Sequence, residues 1–271
     1  MMIKKAVLAL TLLVAFAFDA YGAELFVPDH HSTIQEALDQ AAPGDTVTVK
    51  PGSYSENIVI KRPVTLRSAN GPASTAINAA KKDEPVISIN DATGVSIEGL
   101  SATGSEVAGI RLTRSSGVSL KGNQTTENLY GIALYDSSDN KIESNTADLN
   151  ENYGIYLEKS HRNTVVKNSA SSNGDRGIFI SASDSNTVIG NTANLNTWNG
   201  IVLWSAKGNI IRGNKTLRNT YGLVLTESSG NTVDENTSLP NVFIILPILL
   251  IYLGILLYLV QKYALKFLYR S

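Results

Sequence analysis

GIALYDSSDNKIESNTADLNENY, residues 131–153, is followed without a gap by GIYLEKSHRNTVVKNSASSNGDR at 154–176 and by GIFISASDSNTVIGNTANLNTWN at 177–199. All three share one frame: Gly-Ile-x-(Leu or Ile), then Ser-x-x-Asn, then an apolar position, then Asn. The frame continues in both directions. Its opening glycines fall at Gly109, Gly131, Gly154, Gly177, Gly200 and Gly222, in steps of 22, 23, 23, 23 and 22 residues. A column of asparagines, Asn123, Asn145, Asn168, Asn191, Asn214 and Asn236, follows each glycine by 14 residues. A second asparagine column runs through Asn140, Asn163, Asn186, Asn209 and Asn231, and a third through Asn128, Asn150, Asn173, Asn196 and Asn219. A unit of this length cannot enclose a core alone, so the copies must stack.

Apolar residues alternate as in a strand, Ile132 with Leu134 and Ile155 with Leu157. The β-branched residues and the many Gly, Ser, Thr and Asn argue against helical repeats, as does the lack of i, i+3, i+4 apolar spacing. The Leu-x-x-Leu-x-Leu frame of leucine-rich repeats is missing. The pattern predicts an all-β fold, a single-stranded right-handed parallel β-helix of about eight coils stacked about 4.8 Å apart. In that geometry each interior Asn meets an Asn above and below, forming structural ladders whose amides satisfy one another. Asn and Gly also suit the left-handed backbone that tight corners need. The stretch Gly71 to Asp83 breaks the register and reads as a loop.

The two ends differ from the repeats. Residues 1–23 have the layout of a signal peptide: Lys4 and Lys5, an apolar run from Ala6 to Phe18, then small residues. Residues 24–45 read as a cap segment whose short amphipathic helix, Ser32 to Ala41, begins with a capping box, Ser32 to Gln35 or Thr33 to Glu36, and stops at Pro43-Gly44. The β-helix is expected over residues 46–240. Residues 241–261 read as a transmembrane helix, with no charge from Val242 to Val260, and 262–271 as a short basic cytoplasmic tail. The same layout also suits a sorting signal removed after export. The expected location is therefore the outer, periplasmic or cell-surface side of the cytoplasmic membrane. With no cysteine, disulfides and thiolate metal sites are excluded.

Thr33-Ile34-Gln35-Glu36-Ala37-Leu38, Pro43-Gly44-Asp45-Thr46-Val47, Pro51-Gly52-Ser53-Tyr54 and Glu56-Asn57, together with the repeats after Gly109, resemble NosD-type proteins and the wider superfamily of carbohydrate-binding and sugar-hydrolase β-helices. The resemblance implies a fold more firmly than an activity. It allows a polysaccharide lyase, epimerase or hydrolase, and equally a NosD-like accessory factor for copper-enzyme maturation that works with a membrane transporter or a copper protein.

Aligning the copies places two outward columns beside the Gly-Ile-x-Leu strand: Arg111, Ala133, Tyr156, Phe179, Val202, Val224, and Thr113, Tyr135, Glu158, Ser181, Trp204, Thr226. Tyr135, Tyr156, Phe179 and Trp204 share that face. Flat rings on a rigid strip suit the apolar faces of sugars, and Glu158 among them suits hydroxyls; the same rings would also stabilise a bare strand face. A catalytic pair would need two carboxylates about 5 to 10 Å apart, for which Glu158 with Asp136, or Asp136 with Asp139, are the candidates. The register instead offers each an innocent partner: Lys159 for Asp136, Arg162 for Asp139, and Asp184 for His161. For copper the sequence offers His30, His31 and His161, of which His30 and His31 are the weak metal candidates, and its methionines are Met1 and Met2 in the leader. No cofactor is expected. Setting aside Lys4, Lys5 and Asp19 in the leader and Lys262, Lys266 and Arg270 in the tail leaves 18 basic and 23 acidic residues, which argues against a nucleic-acid partner. The reading is of a glycan-binding protein, with the enzyme and the accessory factor as alternatives.

Overall fold

The structure, a computed structural model, describes the backbone of residues 22–240 and 242–268 and, within the C-terminal helix, the side chains of 246, 247 and 249–262. The signal-peptide expectation falls almost wholly on residues 1–21, outside the described residues.

Every described strand pairing is parallel and joins one coil to the next. The longest sheet has ten strands, from Glu24–Val27 and Thr46–Val49 to Thr232–Asp234. A second sheet has eight, from Ile58–Ile60 through Tyr130–Tyr135, Tyr153–Glu158, Arg176–Ser181 and Asn199–Trp204 to Tyr221–Thr226. The third face begins with four paired strands and thins to single bridges through Thr146, Ser169 and Thr192. It widens again where Lys215–Asn219 meets Thr237–Pro240. Ten strands at one per turn enclose nine turns rather than about eight. The additional strand is Glu24–Val27, which pairs with Thr46–Val49 from within the segment assigned above to the cap. The expected loop at Gly71 to Asp83 is also corrected: it holds the strand Thr75–Asn78, whose buried Thr75 and Ile77 alternate with part-buried neighbours.

The core is a set of vertical columns. Ile132 lies between Ile110 and Ile155, and Leu134 between Leu112 and Leu157, all fully buried. At the corners the asparagines form three ladders. Asn145 donates through both its backbone N–H (2.9 Å) and its Nδ2 (3.0 Å) to Asn168 Oδ1, and its Nδ2 also donates to the Leu120 carbonyl at 2.9 Å. A ladder that the sequence reading passed over is made by the serines of Ser-x-x-Asn: the N–H of Ser137 donates to Ser160 Oγ, and that of Ser160 to Ser183 Oγ. The expectation that Asn itself takes the left-handed conformation is corrected. Within the repeats that conformation falls on the residue before each ladder Asn, such as Asp139, Ser144 and Leu149 at φ 60, 56 and 59. The Asn is pinned by its ladder, so the residue ahead of it absorbs the corner.

The glycine column has a different cause. A Cβ on Gly154 would stand 2.7 Å from both the Ala147 carbonyl oxygen and Asn173 Nδ2, and 2.8 Å from the Gly177 carbonyl oxygen. These glycines point inward against the next corner, where the third face supplies only small residues such as Ala147, Ala170 and Ala193. Because Gly154 and Ile155 both face the interior, strict strand alternation fails at the start of each strand.

Helix α1 (Ile34–Gln40) packs Ile34, Ala37 and Leu38 into the core at the N-terminal end. Thr33 is its N-cap: its Oγ1 accepts the Glu36 N–H, while Glu36 reaches back to the N–H and hydroxyl of Ser32. Thus the box forms from Thr33 and Glu36, with the return arm one residue earlier than expected. Helix α2 (Val242–Leu268) starts one residue after the last strand. Among residues with described side chains, no helical run is long and apolar enough to cross a membrane. Those residues make up only the middle of α2, and their apolar side chains from Leu246 to Val260 are exposed rather than packed on the β-helix.

Candidate functional site

The eight-stranded sheet carries the aromatic face. The two columns expected from the sequence are there in register, Tyr156 beside Phe179 and Phe179 beside Val202, with Glu158 beside Ser181 and Ser181 beside Trp204. The inward glycine adds a third column, since the residue before it turns outward: Tyr130, Tyr153 and Arg176 stand on the same face. That column was missed because the reading assumed a two-residue alternation through the glycine.

The rings form a packed cluster rather than an open platform. Tyr130 stacks on Tyr153 with centroids 5.2 Å apart, and Tyr156 stacks on Phe179 at 5.3 Å. Tyr135 meets Tyr156 edge-on at 5.7 Å. Arg176 lies over Phe179 (4.6 Å) and Tyr153 (5.3 Å), donating to the Tyr153 hydroxyl at 2.8 Å and to Asp175 at 3.1 Å. Phe179 is consequently only 5% exposed and lies beneath Arg176. Trp204, at 50%, is the exposed member, with its centroid 6.4 Å from Phe179. The Nε atoms of Arg111 and Arg176 are buried with no acceptor.

Burial governs the chemistry of this face. It pushes the Tyr135 hydroxyl up to about 12. Burial, reinforced by the hydrogen bond to Glu158 at 3.0 Å, pushes Tyr156 up further, since its ionisation would set a phenolate against a carboxylate. Burial also raises Tyr130, Tyr153 and Asp175, the last against the opposing pull of Arg176. The tyrosines therefore stay neutral donors.

The carboxylate candidates are less favourably placed for proton transfer. Asp139 is held bidentate by Arg162 at 2.8 and 2.7 Å, and these hydrogen bonds keep it below the ordinary carboxylate range. Asp136 sits at a corner with φ 47, its N–H donating to the Glu158 carbonyl at 3.1 Å. Two expected charge pairs are corrected. Asp136 and Lys159 form no ion pair among the described residues, although both take the left-handed conformation (φ 47 and 48) that the paired Asp139 and Arg162 also take. His161 faces the backbone of Asp184, accepting its N–H on Nδ1 at 2.9 Å.

The region from 38 to 199, more than half of the chain, matches the family described as periplasmic copper-binding protein (NosD). The chain belongs to the NosD family. A right-handed β-helix profile also matches residues 168–245. A cell surface glycoprotein of Methanothermus fervidus is 43% identical over 68 residues, which is 24% of this chain and 11% of that protein, so the chain spans about a tenth of that relative. Among solved structures, the A-module of mannuronan C-5 epimerase AlgE6 of Azotobacter vinelandii superposes with a TM-score of 0.54 at 16% identity, over 76% of this chain and 81% of that one. An alginate lyase of Paenibacillus sp. gives 0.59 at 17%, over 76% and 94%. The Dettilon tailspike protein gives 0.61 at 15%, over 80% and 62%. At these identities the likeness is one of fold.

The copper in the description of the NosD family can be tested against the donors on this member. Its three histidines are dispersed in use: His30 Nδ1 accepts the Phe26 N–H, His31 Nδ1 lies 3.9 Å from Glu36, and His161 is engaged as above. Among the described residues no three His, Cys, Asp or Glu side chains converge as a metal site, and soft sulfur ligands are absent from them. The donor set does not fit copper.

Proposed function

We propose that this NosD-family protein is exported, held at the outer face of the cytoplasmic membrane by α2, covered at its N-terminal end by α1, and binds polysaccharide or surface glycan through the aromatic face of the eight-stranded sheet. The observation that carries the binding reading is the joint placement of Tyr130, Tyr135, Tyr153, Tyr156 and Arg176 on one rigid face, with Trp204 exposed at its edge. Neutral hydroxyls, guanidinium donors and an exposed indole match the hydroxyls and apolar faces of sugars. Supporting it more distantly, proteins of the same fold are named for acting on alginate. The anchor reading draws on the charge-free run Val242 to Val260, the helical backbone throughout it and the exposure of its described apolar side chains. The test is glycan binding by the full-length chain in detergent across a polysaccharide panel. Loss of two rings in Trp204→Ala/Tyr156→Ala should weaken binding about tenfold. A folded double variant that binds as the parent does overturns the reading, and reducing-sugar release would replace it with an enzyme.

The family match favours a second reading, an accessory factor that docks on a membrane transporter or a copper protein instead of holding copper itself. Co-purification of the full-length chain with an ABC transporter or a cupredoxin tests it.

A further inference from the structure

The interior columns are sealed wherever another coil lies beyond them, and at the C-terminal end none does. Ile201, Leu203 and Ile211 are fully buried, while their partners one coil later, Leu223, Leu225 and Val233, are partly or largely exposed. The two tryptophans of the chain, Trp198 and Trp204, both lie in the coil just before, at 55% and 50% exposure. Tyr221, whose N–H donates to the Trp198 carbonyl at 2.8 Å, is 58% exposed. Tyr130, Tyr135, Tyr153 and Tyr156, further from this end, are half-buried against one another, so the open rings gather where the rod stops. Only Asn241 separates the strand Thr237–Pro240 from α2, and two peptide steps reach at most about 7 Å.

We propose that the C-terminal end of the β-helix is a docking surface for the headgroup layer of a lipid bilayer, with Trp198 and Tyr221 seated in that layer. The inference rests on the reading of α2 as the anchor. A headgroup layer is about 5–7 Å deep on each side, and neighbouring coils lie about 4.8 Å apart, so with the last coil at its inner boundary the coil before still lies within that depth. Trp and Tyr favour this layer because the ring is apolar and the N–H or O–H is wet. A second copy docked end to end is the competing occupant. Between Asn219 and Asn241 the chain carries Glu227, Asp234 and Glu235 and no Lys or Arg; Arg212 of the coil before pairs with Asp234 at 3.6 Å, which leaves Glu227 and Glu235 as the like charges two such ends would bring together.

The test uses the full-length chain reconstituted into phosphatidylcholine vesicles, with and without lipids brominated near the top of the acyl chain. Trp204→Phe leaves Trp198 as the sole tryptophan, and a control carries Trp198→Phe, Trp204→Phe and Lys61→Trp at the far end. The expected result is flotation with the vesicles, strong quenching of Trp198 by the brominated lipid and none of the control. Flotation with Trp198 as unquenched as the control overturns the docking alone, and a dimer under those conditions identifies the second copy as the occupant. Failure to float overturns the anchor and the docking with it.

Discussion

The side-chain amide of Gln35 meets the backbone of Val59 as a neighbouring strand would: Val59 N–H donates to Oε1 at 2.8 Å, and Nε2 donates to the Val59 carbonyl at 3.2 Å. Val59 lies in Ile58–Ile60, the terminal strand of the eight-stranded sheet, whose outer edge is otherwise open. An edge of this kind invites pairing with another chain, and a primary amide is the side chain that mimics both halves of a peptide group. Beside it, Glu56 accepts the N–H groups of Ile34 and Gln35, both at 3.0 Å. Gln35→Ala should cost about 1–2 kcal/mol for the two bonds and raise hydrogen exchange at the Val59 amide first. Unchanged exchange there would mean that the Gln35 contact does not protect the Val59 amide.

The glycine column yields a sharper contrast. Gly154→Ala drives a Cβ into two carbonyl oxygens and a ladder amide, none of which can move without breaking a coil, so a loss of several kcal/mol is expected. Gly122, at φ 63, has nothing within 4 Å of its Cβ position, and Gly122→Ala should cost only the left-handed strain of about 1 kcal/mol. Denaturant midpoints of the two variants check the ordering.

Replacing Asn168 by Leu removes the Oδ1 that accepts both the N–H and the Nδ2 of Asn145, and the Nδ2 that donates to the Ile142 carbonyl at 2.9 Å. Each group left without a partner should cost about 1–3 kcal/mol, read as a lowered unfolding free energy. The ladders also bear on modification. Asn123-Gln-Thr125 and Asn214-Lys-Thr216 match the glycosylation sequon, yet Asn123 and Asn214 are buried with both amide atoms engaged. Mass spectrometry of the mature protein should find both bare.

The coil architecture was legible because identical residues recur at fixed steps: one Asn per corner and one Gly per coil name the stacking directly. What the repeats concealed were departures from alternation. Gly131 and Ile132 both turn inward, so Tyr130 reaches the outer face from a position that a period of two would bury, and Tyr153 and Arg176 follow it. The strand Glu24–Val27 escaped because it belongs to no repeat and its partner lies 22 residues on, beyond α1. The columns named the rings of the aromatic face, yet the burial of Phe179 depends on Arg176, a residue from the concealed column.

The pH response of that face follows from its burial. An exposed tyrosine ionises near pH 10, whereas Tyr135 is pushed up to about 12 and Tyr156 further still. Both folded-state values lie above the unfolded one, so the folded state holds protons that the unfolded chain releases. The stability they contribute is fully present below about pH 10 and is lost as pH rises from there, through about 12 for Tyr135 and above that for Tyr156. Phenolate absorbance should accordingly rise in two phases, with tyrosines of ordinary exposure ionising first and the cluster last, accompanied by falling stability. Tyr135→Phe and Tyr156→Phe should each shrink the late phase and flatten the loss of stability over the same interval. A single phase near pH 10 in the folded protein would mean that water reaches the cluster freely.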